Sequence, residues 1–384
     1  GTGKSTMINY ISSLFKDKQK IFLANTNPAV ENLRRKVTAE HAEFVTITKF
    51  LSKDVSNDCD ILCLDECSTI SNRDMVRVLQ RAQCKLLVLV GDIYQIESIL
   101  FGNWFNIAYK VMPKDSVAEL TRPHRTTVQG LIEVWNKVRE ITEDRLEFIT
   151  RNGLSSTLDE SIFSRTEEDE IVLCLNYDGI YGINNINKFL QSNNVNPSIN
   201  WGVLSYKVGD PVLFNESNRF APLVYNNLKG KILQIEEEED CIYFTIEVYT
   251  VLNELDVIGF DLELKESVTD ETSVIRFKVG RGGDGNDDND NVENVVPFQV
   301  AYAISIHKAQ GLEYESVKVV ITSEIEEMVS HNIFYTAITR AKSKLKIYWS
   351  PETEKRILEN MKVQFNDKDY QLFKAKYKEA LLKS

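Results

Sequence analysis

The chain has 384 residues, 43% of them hydrophobic, and a formal net charge of −12. That length calls for two or three packed cores rather than one. The acidic balance argues against a protein that wraps nucleic acid over a polybasic surface, though not against a narrow strand-binding groove, and no run approaches the ~18 apolar residues of a membrane span.

The chain opens Gly1-Thr2-Gly3-Lys4-Ser5-Thr6, the closing half of the phosphate-binding pattern GxxxxGK[ST]. An N-terminal segment is therefore expected before it, and with no secretory leader in view a cytoplasmic setting is expected. Glycines here let backbone N–H groups turn onto phosphates, and the helix that follows adds its positive end. Gly1, Thr2, Gly3, Lys4, Ser5 and Thr6 are thus candidates to bind ATP, with Lys4 on the β and γ phosphates and Ser5 on Mg²⁺. A buried strand is expected at Ile21–Ala24, then a helix over Ala29–His41. The run Ile61–Leu64 reads as a second buried strand ending in two carboxylates, Asp65 for the Mg²⁺ shell and Glu66 to polarise the attacking water. A third, Leu86–Val90, delivers Gly91-Asp92-Ile93-Tyr94-Gln95, whose turn aims the Gln95 amide at the γ phosphate. Cys59, Cys63 and Cys67 are evenly spaced, but they lack the paired spacing of zinc ligands and read as buried thiols.

Further on, Leu120-Thr121-Arg122-Pro123-His124-Arg125 and Tyr335-Thr336-Ala337-Ile338-Thr339-Arg340-Ala341 each carry an arginine suited to phosphate charge, Arg125 and Arg340. Either alone fits a surface ion pair equally well. Strands at Ile171–Leu175, Val317–Ile321 and Leu345–Trp349 continue the α/β pattern of parallel sheets. Between them, Trp201–Phe260 is β-branched, aromatic and punctuated by Gly and Pro, which predicts a small inserted antiparallel barrel. Gly280–Asn291 reads as an acidic, glycine-rich loop. After the run Val300–Ile306, the segment His307-Lys308-Ala309-Gln310-Gly311 offers polar groups to phosphate or sugar, Gly311 permits close approach to nucleotide, and Glu313 can accept from a ribose hydroxyl. Pro351–Ser384 is expected to be a helical tail.

Taken in order, Gly3-Lys4-Ser5-Thr6, Thr26-Asn27-Pro28-Ala29, Asp65-Glu66-Cys67-Ser68, Gly91-Asp92-Ile93-Tyr94-Gln95, Leu120 to Arg125, His307 to Gly311 and Thr336 to Ala341 resemble the signature motifs of superfamily 1 helicases. The RecD/Dda/Pif1-like branch is the most similar, given the short gap from Gln95 to Arg125, the Thr46–Leu51 segment, and Val208-Gly209-Asp210-Pro211-Val212 ahead of His307. The resemblance implies two RecA-like P-loop domains with parallel sheets and an inserted SH3-like β-barrel. The first domain is expected over residues 1–117, the second over 118–200 and 296–350, the insert with its acidic loop over 201–295, and the tail over 351–384. It also implies an ATP- and Mg²⁺-dependent translocase or helicase moving 5′ to 3′ on single-stranded DNA. By this likeness Lys4, Ser5, Asp65, Glu66, Gln95, Arg125, Gly311, Glu313 and Arg340 surround MgATP, while Thr26, Asn27, Ser305 and His307 face the strand. Two departures stand out. Only Ser52–Asp60 occupies the place of the branch's strand-separating pin, and Pro28-Ala29-Val30 replaces the usual lysine-containing triplet. Translocation is thus better supported than unwinding. An RNA helicase, or an ATPase switch subunit acting with a nuclease or other effector protein, stays open as an alternative; the chain is expected to be a monomer or part of a hetero-complex, away from membranes.

Overall fold

The computed structural model describes residues 3–52, 57–96, 102–121, 124–215, 219–221, 223–267, 269–281, 294–362 and 367–381. The expected ATP ligands Gly1 and Thr2 lie outside the described residues, as do residues 53–56 of the short pin segment and most of the acidic loop.

The first unit alternates helices α1 (Lys4–Leu14), α2 (Asn27–Lys36), α3 (Ile47–Leu51), α4 (Asn72–Arg81) and α5 (Trp104–Val111) with strands β1 (Lys20–Ala24), β2 (Ala42–Thr46), β3 (Asp58–Leu64) and β4 (Gln83–Leu89). Every pairing in the sheet β2-β1-β3-β4 is parallel. β1 is buried at all five positions, as its apolar run requires. Its Lys20 is buried too, because its ammonium donates to three carbonyls, of Lys16, Lys18 and Glu40. Two expectations need correction. β4 is the sheet edge among the described residues and leaves Leu86 exposed, so Leu86–Val90 is not buried on both faces. α2 ends at Lys36 rather than reaching His41, because Val37 turns extended to bury its side chain and Asn9 Oδ1 accepts the Thr38 N–H at 2.9 Å.

The second unit begins with α6 (Gln129–Glu140) and α7 (Arg145–Arg151), then β5 (Ser155–Ser156), β6 (Glu170–Cys174) and α8 (Ile183–Ser192). The chain then leaves for eight strands before returning. A hairpin of β7 (Ser198–Trp201) and β8 (Leu204–Lys207) precedes β9 (Pro211–Phe214), β10 (Lys229–Glu237), β11 (Cys241–Val248), β12 (Glu263–Lys265), β13 (Ser273–Gly280) and β14 (Phe298–Val300). The last six form an antiparallel sheet in the order β12-β13-β11-β10-β9-β14 over a core of Phe214, Phe220, Phe244, Phe277 and Phe298. This inserted sheet reaches beyond the expected Phe260 limit, since β13 alternates buried and solvent-facing residues and β14 runs on to Val300, the first residue of the Val300–Ile306 run. The second unit resumes with β15 (Ala303–Ser305), β16 (Tyr314–Val320), α9 (His331–Ile338), β17 (Ala341–Tyr348), α10 (Pro351–Asn360) and α11 (Asp367–Leu381). Its sheet, β15-β6-β16-β17-β5, is parallel throughout.

Asp210, in the Val-Gly-Asp-Pro-Val segment, joins insert to second unit. Fully buried, it accepts from Gln191 Nε2 (2.6 Å), Asn194 Nδ2 (2.9 Å), Lys207 N (2.9 Å) and the Tyr302 hydroxyl (2.8 Å). A buried carboxylate is tolerable only when donors surround it in this way.

Candidate nucleotide site between the two units

α1 starts at Lys4 because Gly3 turns the chain through φ 87°, a left-handed conformation only glycine adopts freely. The first-turn N–H groups carry no acidic partner within the helix, which leaves them to an external anion. Ser5 is half-buried at this end, and Thr6 is exposed. Burial alone would lower the Lys4 pKa, but the charges of Glu66, Asp92 and Asp65 more than offset it and hold the ammonium charged.

β3 brings Asp65 and Glu66 to the same place. Burial pushes the Asp65 carboxyl up and Glu66 adds to the rise, with Lys4 pulling the other way. Asp65 Oδ1 accepts the Glu66 N–H at 2.9 Å. Glu66 itself stands in the left-handed region at φ 51°, and its Oε2 is buried without a hydrogen-bond partner. From the end of β4, Asp92 accepts both the Tyr94 N–H (3.1 Å) and the Gln95 side-chain amide (3.1 Å). Gln95 is therefore buried and turned onto Asp92 rather than standing free.

The second unit contributes the arginines. Arg125 Nη2 lies 2.8 Å from Glu313 Oε1, Nη1 donates to the Thr339 carbonyl, and Nε is buried and unpartnered. Burial would raise the Glu313 carboxyl, but Arg125 brings it well below the usual carboxylate range. Arg340 is fully buried, with Nε on Thr336 O (2.9 Å), Nη1 on Leu312 O (3.2 Å) and Nη2 on Thr339 Oγ1 (3.2 Å). Burial, and then the charge of Arg125, bring its pKa down to about 10 against the pull of Glu66, Glu313 and Asp92. Gly311 holds φ 82°, which lets the chain reverse between the His307 turn and Glu313. Lys4, Asp65, Glu66, Asp92, Arg125, Glu313 and Arg340 thus act on one another as one charge cluster built from both units.

The loop after β4 is fastened to the second unit. Ile96 is buried in that unit's core, its N–H donates to Thr336 Oγ1 (3.1 Å), and Asn332 Nδ2 donates to the Gln95 carbonyl (2.9 Å). Tyr94 meets the rings of His331 and Tyr335 edge-on. Sequence reading missed Asn332 and Thr336 as contacts of this loop, and gave Asp92 no role. It also missed Lys36, whose charge reaches both Asp65 and Glu313, and His124, 3.5 Å from where a Gly3 Cβ would sit. A lysine in the last turn of a helix carries no local signal for such a place.

The expected strand contacts are not brought together by any hydrogen bond among the described residues. Thr26 caps α2 by accepting the Ala29 N–H (3.4 Å), with Asn27 exposed beside it. Ser305 is buried and accepts the Lys308 N–H (3.2 Å), so its hydroxyl serves a turn, whereas His307 is exposed.

A model of the AAA domain family matches residues 1–159, and one of the UvrD-like helicase C-terminal domain matches residues 300–348. The RecBCD enzyme subunit RecD of Mycolicibacterium smegmatis is 22% identical over 336 residues, covering 79% of this chain and 52% of that subunit. The Pif1 helicase of Candida albicans has a similar fold, with a TM-score of 0.56 and 18% identity over 99% of this chain and 94% of the other. The Bacteroides Pif1 helicase solved with ADP-AlF3 and single-stranded DNA gives a TM-score of 0.53 at 16% identity, over 99% and 92%. The chain spans 35% to 65% of the length of the curated relatives it matches. No helix among the described residues is long and apolar enough to cross a membrane.

Proposed function

We infer that this chain, a member of superfamily 1 in its RecD/Pif1-like branch, is an ATP-driven motor that moves 5′ to 3′ along single-stranded DNA. The observation that carries this reading is the shared charge cluster: arginines of the second unit face the lysine and carboxylates of the first, so nucleotide between them couples phosphate chemistry to relative motion. Residues 1–117 are taken as one RecA-like domain, residues 118–200 and 296–350 as the other, and the inserted antiparallel sheet as SH3-like.

Within the site, the α1 N–H groups and Lys4 receive the β and γ phosphates. Glu66, with an unpaired oxygen, orients the attacking water and takes its proton. Arg125 and Arg340 answer the charge that builds on the γ oxygens, and the buried unpaired Arg125 Nε fits such an anion. Ser5 and Asp65, one hydroxyl and one carboxylate, fit Mg²⁺, which they would hold with few protein ligands and which would supply positive charge to the phosphates. Glu313 holds Arg125 and offers its other oxygen to the ribose. Gln95 reports phosphate loss through Asp92 to the loop gripped by α9. On the strand side, exposed His307 and Asn27 are the better placed contacts, with Thr26 and Ser305 shaping the backbone that presents them.

RecD is by name a subunit of the RecBCD enzyme, and a nuclease or similar effector protein is the partner class proposed for this chain. The test measures ATP turnover with and without single-stranded DNA, using matched RNA as comparison, and strand displacement on 5′- and 3′-tailed duplexes. Strong stimulation by DNA is expected, with Glu66→Gln slowing turnover by roughly 10²–10⁴ while nucleotide still binds. Equal turnover with and without nucleic acid, or a Glu66→Gln protein that hydrolyses normally, would sink the reading.

A further inference from the structure

Lys229 opens β10 in the inserted sheet, yet its ammonium reaches into the second unit. Nζ donates to Asp169 Oδ1 at 2.7 Å and to the Glu313 carbonyl at 3.1 Å. The rings of Tyr249 and Tyr314 flank it, with centroids 5.0 and 4.2 Å away. Asp169 in turn fastens the residues after Glu313: its Oδ2 accepts the Glu315 N–H (3.2 Å) and its carbonyl accepts the Ser316 N–H (3.1 Å). The backbone of 313–316 is therefore held at three points, and Lys229 anchors one directly and another through the carboxylate it pairs with. On the far side, Arg35 of α2 donates to the Tyr249 carbonyl at 3.3 Å, and Tyr249 N–H donates to the Lys229 carbonyl at 3.0 Å. A continuous run of contacts thus leads from the first unit, across the inserted sheet, to the residue that holds Arg125.

We propose that Lys229 is a positioning residue through which the inserted sheet sets Glu313, and with it Arg125, against the bound nucleotide. The proposal rests on the reading of the Glu313–Arg125 pair as part of the nucleotide site. An insert displaced by a strand pulls on the 313–316 backbone through two charge-assisted hydrogen bonds, one to the Glu313 carbonyl and one to the Asp169 carboxylate. Neutral side chains of similar length fill the same space but let the 313–316 segment drift, and small misplacements of a phosphate-facing group lower affinity and rate steeply.

The experiment is equilibrium binding of a fluorescent non-hydrolysable ATP analogue to the full chain without DNA, with the melting midpoint measured alongside. Lys229→Met is expected to weaken binding about tenfold. Lys229→Arg is expected to restore it to within about threefold, because a cavity of about 90 Å³ lined by Lys229, Asp169 and Tyr249 has room for the longer side chain. Lys231→Met serves as the control: it breaks the neighbouring pair with Glu168 on the same strand, and affinity should not change. Should Lys229→Met fail to fold, Asp169→Asn keeps the packing and should weaken binding severalfold. Wild-type affinity in folded Lys229→Met or in Asp169→Asn, or an equal loss in Lys231→Met, overturns the proposal. A wild-type chain that binds no nucleotide removes the nucleotide site itself, and with it this inference.

Discussion

Glu66 stands at φ 51° and ψ 42°, where a side chain with a Cβ is strained by ~1–2 kcal/mol. That backbone turn follows directly on β3 and sets the carboxylate beside Asp65, at the end of the sheet where Lys4 also lies. The strain can be separated from the charge. Glu66→Ala and Glu66→Gly both remove the carboxylate and should both be inactive, but only glycine relaxes the turn. After allowing for glycine's larger unfolded-state entropy, Glu66→Gly should be the more stable by about 0.5–1 kcal/mol in urea melts; equal midpoints would contradict a left-handed residue here. Sequence reading reached Lys4, Asp65 and Glu66 because their chemistry is written in adjacent residues. It reached Arg125 and Arg340 through motif order. It could not reach Asp92's central place, Lys36 or Lys229, because those depend on which helix or strand ends opposite them. Nor could it see that Arg340 spends one donor from each of its three nitrogens on the protein, leaving one hydrogen on each Nη, a matter of how α9 ends.

Helix α9 carries Thr336 and Asn332 on the face that meets the loop after β4, and holds that loop at residues 95 and 96. The Ile96 N–H is buried and its partner is a side chain, so its satisfaction depends on one hydroxyl. Thr336→Val keeps the shape and removes the acceptor. Leaving the amide unpaired should destabilise the junction by roughly 1–3 kcal/mol, and amide exchange at Ile96 should accelerate more than at the β3 amides. Unchanged protection at Ile96 would mean the loop is held by packing alone. At this scale the six apolar runs chosen from sequence all form parallel strands, since continuous apolar character survives whatever surrounds it. The misses have a common cause. β4 is apolar yet lies at an edge, α2 stops where Val37 finds a core to bury in, and β13 is half polar because one of its faces meets solvent. Burial at those places is decided by neighbours distant in sequence.

The whole molecule is tied together at more places than the nucleotide site. α10 packs on α7 in the second unit, but α11 crosses to the first and packs against α5. There Asn103 Nδ2 donates to Asp369 Oδ2 at 2.6 Å, and Asn103 also accepts from Asn72 Nδ2 at 2.9 Å. The tail read from sequence as one helical stretch is therefore two helices that lie on different units. Any opening of the two units must stretch or release this contact, so α11 resists the motion that the motor reading requires. Much of α11 is solvent-exposed, including Leu372 and Phe373, so its hold is weak compared with the Ile96 junction. A half-exposed, charge-assisted hydrogen bond of this kind contributes on the order of 1 kcal/mol. Asp369→Ala should then raise amide exchange across residues 367–376 by about fivefold, while exchange in α9 and the overall melting midpoint stay put. Nucleotide should protect the wild-type tail, because holding the units together disfavours the opening that releases α11 from α5. If Asp369→Ala leaves tail exchange unchanged, the crossing is held by the remaining α5 contacts. If nucleotide leaves the wild-type tail equally exposed, α11 does not follow the relative motion of the two units.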